Sequence, residues 1–213
     1  MKVAPRYVNF SPTNMGIKHN SYDEAKTTQA AAYFLKKAGG EMQYLKLLKL
    51  LYLADRQALL QWGRPISFDR YYSMDQGPVL SRTYEIISGG VRESQESYWL
   101  QHVSAPSSYC VRLEKDPGLA ELSKAEMALL EKVFSEYEDR AQWDLVDNVM
   151  HKLPEWEDPD GSAIPIQIRD ILKHGGKTDL EVAEIERELE SVSTVREFFN
   201  TPPTESPNLG TSG

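Results

Sequence analysis

The spacing of apolar residues predicts that helices make up most of the chain. Apolar positions recur at helical spacing in four long segments, residues 21–40, 41–63, 122–140 and 178–200. Three shorter helices are predicted at residues 79–90, 141–153 and 165–176. The chain is therefore expected to be dominated by helices rather than by strands.

Three of the predicted helices begin with the spacing of a capping box, in which a serine or threonine is followed three residues later by a glutamate. The pairs are Ser21 with Glu24, Ser123 with Glu126, and Thr178 with Glu181. Pro78 is predicted to be the first residue of the helix at 79–90, because a helix needs no N–H there.

The helix at residues 41–63 is apolar on nearly all sides, which is typical of a helix in the middle of a domain. Its narrow polar stripe consists of Lys46, Lys49 and Arg56. The stripe is either a solvated edge or a surface that binds an anion or an acidic partner. Asp55 falls on an apolar face and is expected to be partly buried. It then needs a partner: an arginine in an internal salt bridge or a tyrosine hydroxyl.

Strands are predicted at residues 67–74, where aromatic β-formers alternate, and in a hairpin of residues 97–103 and 108–114. Helices do not alternate with strands as βαβ units would. We therefore expect the α+β class, with a compact, predominantly helical domain and a small antiparallel sheet. The expected organisation is an irregular arm at 1–20, a domain at 21–160, a helical extension at 161–200 and a disordered tail at 201–213.

Net charge, cysteine content and the lack of long apolar runs limit the classes of partner and the cellular location that can be expected. The net charge of −8 argues against nucleic acid as the main partner and is compatible with a basic protein partner. The single cysteine, Cys110, allows no intrachain disulfide, and the N-terminus lacks the apolar run of a secretion signal. No apolar run is long enough to span a membrane. A cytoplasmic protein is expected.

Motifs of catalysis and cofactor binding are not found in the sequence. The histidines at 19, 102, 151 and 174 are scattered, and neither a phosphate-binding loop nor a Gly-x-Ser-x-Gly motif occurs. We expect no metal and no cofactor. Asp55 and His151 are the best candidates for the alternative, a hydrolase.

Residues 46–87 resemble the opening of the Panacea domain, the SocA-like antitoxin family of bacteria and phages. The resemblance consists of four features in order. A helix contains Lys-Leu-x-Lys-Leu-Leu-Tyr, a glycine and a proline end that helix, an aromatic strand follows, and Gly-Pro-Val then begins the next helix. The matching positions are Lys46, Leu47, Lys49, Leu50, Leu51, Tyr52, Gly63, Pro65, Tyr71, Gly77, Pro78, Val79 and Tyr84. The segment from His151 to Trp156 is similar to the closing part of the family pattern, so the resemblance covers about residues 25–158.

The resemblance implies an antitoxin that neutralises a co-encoded protein toxin by direct binding, not an enzyme. The turn at Gly77 and Pro78 is then expected to shape a partner surface, since aromatic residues and methionine are enriched at interfaces. The candidate contact residues are Tyr71, Tyr72, Met74, Asp75, Gln76, Lys49 and Arg56. Because alternate strand residues face the core, either Tyr71 or Tyr72 is expected to pack inward.

A regulatory role is the remaining alternative. The protein would then repress its own operon or act as an adaptor that contacts a protease or chaperone. No helix-turn-helix with a basic recognition helix is seen, and the tail from Thr201 is the segment that an adaptor would use.

Overall fold

The computed structural model of the protein describes residues 21–89 and 97–200, with side chains described as far as residue 196. The predicted arm at 1–20 and tail at 201–213 lie outside the described residues. The helices are α1 Glu24–Lys37, α2 Tyr44–Trp62, α3 Ser81–Ile87, α4 Lys124–Tyr137, α5 Gln142–Asn148, α6 Ile168–His174 and α7 Asp179–Asn200. The strands are β1 Glu41–Gln43, β2 Tyr71–Ser73, β3 Val79–Leu80, β4 Cys110–Arg112 and β5 Ile164–Ile166, and a 3₁₀ turn spans Met150–Lys152.

Helix α2 lies in the middle of the fold, as its apolar sequence predicts. Helices α1, α4 and α6 and strand β3 pack against it. Twelve of its nineteen residues are buried, and leucines at 47, 48, 50 and 59 are fully buried. The helix ends at Gly63, whose left-handed φ of 68° lets its N–H donate to the carbonyl of Leu59. Burial of this helix supplies much of the apolar core.

The strands form two small antiparallel sheets, which confirms the predicted α+β class. One sheet pairs β1 with β4, and the other has the order β3–β2–β5. In the second sheet Tyr71 is opposite both Leu80 and Ile166. Strand β2 is therefore the central strand of its sheet, and all three of its residues are buried.

The predicted hairpin of residues 97–103 and 108–114 is wrong in its first half. Residues 98–102 form turns, so only Val103 of the first predicted strand pairs with the second, through an antiparallel bridge to Leu113, and β4 also pairs with β1. Trp99 is fully buried, and its backbone N–H donates to the Glu24 carboxylate of α1 at 2.9 Å. Packing against α1 thus decides the conformation of a segment whose local pattern favours a strand.

The sequence predicts the start of four helices, three from capping boxes and one from a proline, and two of these four predictions are confirmed. The capping boxes of Ser123 with Glu126 and Thr178 with Glu181 are confirmed. The first box is wrong, because Asp23 caps α1 by accepting the N–H of Lys26 at 2.9 Å.

Pro78 does not begin a helix. It precedes strand β3, and α3 begins at Ser81. The Asp69 carboxylate accepts the N–H groups of Arg82 and Thr83, each at 2.9 Å. This cap is supplied by an earlier loop, so the start of α3 depends on a tertiary contact.

The segment after residue 160 packs onto the rest of the described chain. Strand β5 completes the β2 sheet, and α6 lies against α2 so closely that a Cβ at Gly175 would overlap the Leu60 side chain. On α7, Arg196 donates to the Asp23 carboxylate at 2.9 Å and stacks over the Phe68 ring. The predicted boundary between a domain at 21–160 and an extension at 161–200 stays a prediction.

Candidate functional site

The turn between β2 and β3 is the centre of the candidate site. The N–H of Gly77 closes the turn by donating to the carbonyl of Met74 at 2.8 Å. Gly77 has a φ of 90°, which strongly favours glycine. A Cβ at this position would also lie 2.5 Å from the Cβ of Met150. Both the backbone conformation and the packing therefore require glycine here.

Lys49 of α2 holds this turn from beneath. Its side chain is fully buried, and its Nζ donates to the carbonyls of Gly77 at 3.1 Å and Pro78 at 2.8 Å. Burial lowers the pKa of Lys49 from 10.5 to about 7, because the charged ammonium loses its hydration. The lysine acts as an internal support of the turn.

The predicted basic stripe on α2 is therefore wrong. Lys49 is buried beneath the turn. Lys46 donates to the backbone carbonyl of Glu138 at 2.7 Å, and Arg56 pairs with Glu155 at 2.6 Å. Helical spacing placed the three residues on one side of α2, but different parts of the chain cover that side.

His151 and Trp156 hold the outer side of the turn. The Trp156 indole Nε1 donates to the carbonyl of Met74 at 3.1 Å. The Nε2 of His151 lies 3.1 Å from the carbonyl oxygen of Asp75, and the two rings stack with centroids 4.1 Å apart. The closing part of the sequence pattern thus packs directly on the Gly-Pro turn, more than seventy residues away in the chain.

Asp55 is buried with a full set of hydrogen-bond donors. It accepts the N–H groups of Ile66 at 2.9 Å and Ser67 at 3.0 Å, the Ser67 hydroxyl, and the Tyr71 hydroxyl at 3.1 Å. Burial raises its pKa from 3.8 to about 6, although these donors act in the opposite direction. Of the predicted partners, the tyrosine hydroxyl is confirmed, and the internal salt bridge with an arginine is wrong.

A second buried carboxylate, Glu155, continues this network. Its Oε1 accepts from the Tyr52 hydroxyl at 2.9 Å and from Arg56 Nε at 2.6 Å. Tyr52 contacts the Tyr71 ring edge-on at a centroid distance of 5.6 Å. Sequence analysis missed Glu155. The only sequence feature that could have indicated its burial is its position between Pro154 and Trp156. Its arginine partner lies 99 residues away in the chain, so no local pattern indicates the pair.

Most of the predicted contact residues are buried. Tyr71 is 1% exposed and Tyr72 is 2% exposed, so the expectation that only one of them packs inward is wrong. Met74 and Lys49 are also buried, while Asp75 is exposed and Gln76 is partly exposed. The reason is the central position of β2, which is covered on both faces. Of the predicted residues in the turn itself, Asp75 and Gln76 reach the surface.

The proposed catalytic residues of the hydrolase alternative, Asp55 and His151, have separate partners. Asp55 is bound by donors of β2 and the preceding loop, and His151 contacts the turn carbonyl and Trp156. Among the described residues, no group of three or more His, Cys, Asp and Glu side chains is placed to hold a metal ion. Within the same residues, no helix is long and apolar enough to cross a membrane.

Comparison with known proteins assigns the family. No curated protein and no solved structure matches the chain significantly. The sequence model of the family described as "Antitoxin SocA-like, Panacea domain" matches residues 47–157, which is more than half of the 213 residues. The matched region begins in α2, contains the Gly-Pro turn and ends just after Trp156. The chain therefore belongs to the SocA-like antitoxin family with a Panacea domain.

Proposed function

We propose that this protein is an antitoxin of a bacterial or phage toxin–antitoxin system and that it neutralises a co-encoded protein toxin by direct binding. The observation that carries the proposal is membership of the antitoxin family over residues 47–157. That range includes most of α2, the turn and its supporting residues His151 and Trp156. The matched range thus contains the residues that hold the turn.

The buried polar groups of the site support a binding role rather than an enzymatic one. The Lys49 amino group and the carboxylates of Asp55 and Glu155 each form hydrogen bonds with other groups inside the protein. A catalytic acid or base must reach a substrate atom within hydrogen-bond distance. These three groups are buried inside the protein, where their hydrogen bonds hold α2 to the segments that pack on it.

The partner surface includes the exposed part of the turn. The Asp75 side chain is exposed and its Oδ1 accepts the N–H of Gly161 at 2.9 Å, which fixes its direction. Gln76 lies next to it and is partly exposed. An acidic contact on a chain of net charge −8 suits a basic toxin, because opposite charges accelerate encounter. We place both proteins in the cytoplasm.

A growth-rescue assay tests the proposal. The gene beside the one encoding this chain is expressed from an inducible promoter, with and without the chain, and colonies are counted. We expect the neighbouring protein to arrest growth and the chain to restore it, with the two proteins co-purifying. Asp75→Ala should weaken rescue, and Glu184→Ala, an exposed carboxylate on α7, is the matched control. A harmless neighbour, or arrest that persists with the chain present and folded, contradicts the proposal.

A further inference from the structure

A tight loop between Ser107 and Cys110 presents an aromatic side chain to solvent. The N–H of each of these two residues donates to the carbonyl of the other, at 2.8 Å and 2.9 Å. The two residues between them, Ser108 and Tyr109, have φ angles of 50° and 66°. Two consecutive positive φ angles in a two-residue loop are the signature of a type I′ turn.

The residues in this turn are poorly suited to its conformation. Type I′ turns strongly favour Asn-Gly, since glycine takes a positive φ without steric cost. Serine followed by tyrosine is strained at these angles, and strained residues of this kind cluster at functional sites. The side chain of Tyr109 is therefore not explained by the needs of the turn.

The loop is rigidly held at its base. The carbonyl of Tyr109 accepts the N–H of Tyr44, the first residue of α2, at 3.0 Å. Val103 and Val111, on the two sides of the loop, are both fully buried. The carbonyl of Arg112 accepts the N–H of Ser104 at 2.9 Å, which ties the two sides together. The loop is thus a fixed projection from the core.

The tip of the loop is exposed over its whole length. Residues 105–109 are all exposed, and the Tyr109 side chain is 58% exposed. No residue from 104 to 110 is charged. An exposed tyrosine that follows two serines on a fixed loop is typical of protein-binding surfaces, because the ring offers a large contact area and loses little conformational entropy.

We propose that this loop is the anchor for the toxin, with the Tyr109 ring inserted into an apolar pocket of that basic protein. The inference rests on the proposed function and adds to it the element that makes the central contact. The loop itself is neutral, whereas Asp75 and the net charge of −8 attract a basic partner from a distance. Anchors of this type carry most of the binding energy of an interface.

The test measures the dissociation constant Kd for the purified neighbouring protein and the full chain. Tyr109→Ala and Tyr109→Gly should each raise Kd at least about 30-fold, as expected for an aromatic anchor. Tyr109→Phe should regain affinity to within about threefold of the wild type, since the ring makes the contact. Leu180→Ala is the matched control, because Leu180 is the most exposed of the large apolar side chains in the described chain, at 84%.

The glycine variant separates binding from folding. Glycine suits the positive φ of the turn, so Tyr109→Gly should unfold at the same temperature as the wild type or higher. A variant that is folded at least as well yet binds poorly supports an anchor rather than a structural role. If both variants bind like the wild type while Asp75→Ala weakens binding, the anchor is overturned and the proposed function stands. If the wild type does not bind the neighbouring protein, both are overturned.

Discussion

Replacing Lys49 with methionine tests whether the buried amino group beneath the Gly-Pro turn loses its proton near neutral pH in the folded protein. Lys49 is fully buried, and its pKa falls from 10.5 to about 7 because of that burial. Between these two values the unfolded chain binds a proton that the folded chain lacks. The free energy of unfolding of the wild type therefore rises as pH increases through this interval.

The magnitude follows from the pKa. Each unit of pKa difference corresponds to about 1.4 kcal/mol, and the group is half titrated in the folded state near its own pKa. Raising the pH from about 7 to about 9 should therefore stabilise the wild type by about 2 kcal/mol through this group alone. Methionine has a similar length and does not titrate, so Lys49→Met should lack this rise.

The assay is urea unfolding of both proteins at several pH values across this interval. The difference between their free energies of unfolding is plotted against pH, which cancels the titration of the other groups. The buried tyrosines Tyr52 and Tyr71 have a pKa well above 10.0, raised by burial, so they respond at higher pH. We expect the difference to change by about 2 kcal/mol in favour of the wild type.

Parallel stability curves for the two proteins would refute the reasoning. If Lys49→Met fails to fold, the wild type still gives an answer through the carbon-13 resonance of Lys49 Cε. That resonance should titrate with a pKa of about 7 rather than the ordinary lysine value of 10.5. Titration at the ordinary lysine value would show that the two carbonyl acceptors keep the ammonium charged and would also refute the reasoning.

Three further substitutions test the glycine of the turn and the two buried carboxylates of the site, each measured by chemical unfolding. Gly77→Ala should lower the free energy of unfolding by about 2–4 kcal/mol, through backbone strain and overlap with the 3₁₀ turn. Gly89 has a similar φ but open space around it, so Gly89→Ala should lower the free energy by only about 1–2 kcal/mol. Equal losses for the two variants would contradict the packing argument. Asp55→Asn should lower the free energy of unfolding by about 2–4 kcal/mol, because the asparagine turns an amide N–H toward hydrogen-bond donors. The folded variant should still bind the toxin. Loss of function in a folded variant would favour the hydrolase alternative. Glu155→Gln should lower the free energy of unfolding by about 1–3 kcal/mol, because it weakens the hydrogen bonds to an arginine and a tyrosine. Arg140→Gln, which breaks an exposed ion pair, should change the free energy of unfolding little. A larger loss for Arg140→Gln than for Glu155→Gln would contradict the structural role of Glu155.

Predictions from sequence were accurate where the deciding interaction is local. The apolar pattern of α2 places it in the core because a helix without a wide polar face has to be buried. The boxes at Ser123 and Thr178 are confirmed because the cap and its glutamate partner are three residues apart. The Gly-Pro step was also found as a turn after strand β2, although it leads into strand β3 and not directly into a helix.

Predictions failed where a distant segment competes with the local pattern. Residues 97–103 have a strand-like pattern, but Trp99 is buried against α1 and its N–H is bound by Glu24. The supposed basic stripe of α2 consists of three residues with three different partners, and no spacing rule indicates which part of the chain covers each. Tyr72 is buried because other parts of the chain cover both faces of β2, so that successive residues of the strand are all buried.

The order of residues along the chain was sufficient to predict the helical α+β class, the central helix, the glycine turn and the antitoxin family. These depend on the order and spacing of neighbouring residues, which short-range sterics, capping and the hydrophobic effect translate directly into structure. Packing between distant segments, in contrast, makes Lys49 and Asp55 internal supports and presents Tyr109 to solvent on a strained loop. Burial and hydrogen bonding between residues far apart in the chain decide which polar side chains remain available to a partner, and one-dimensional spacing does not contain that information.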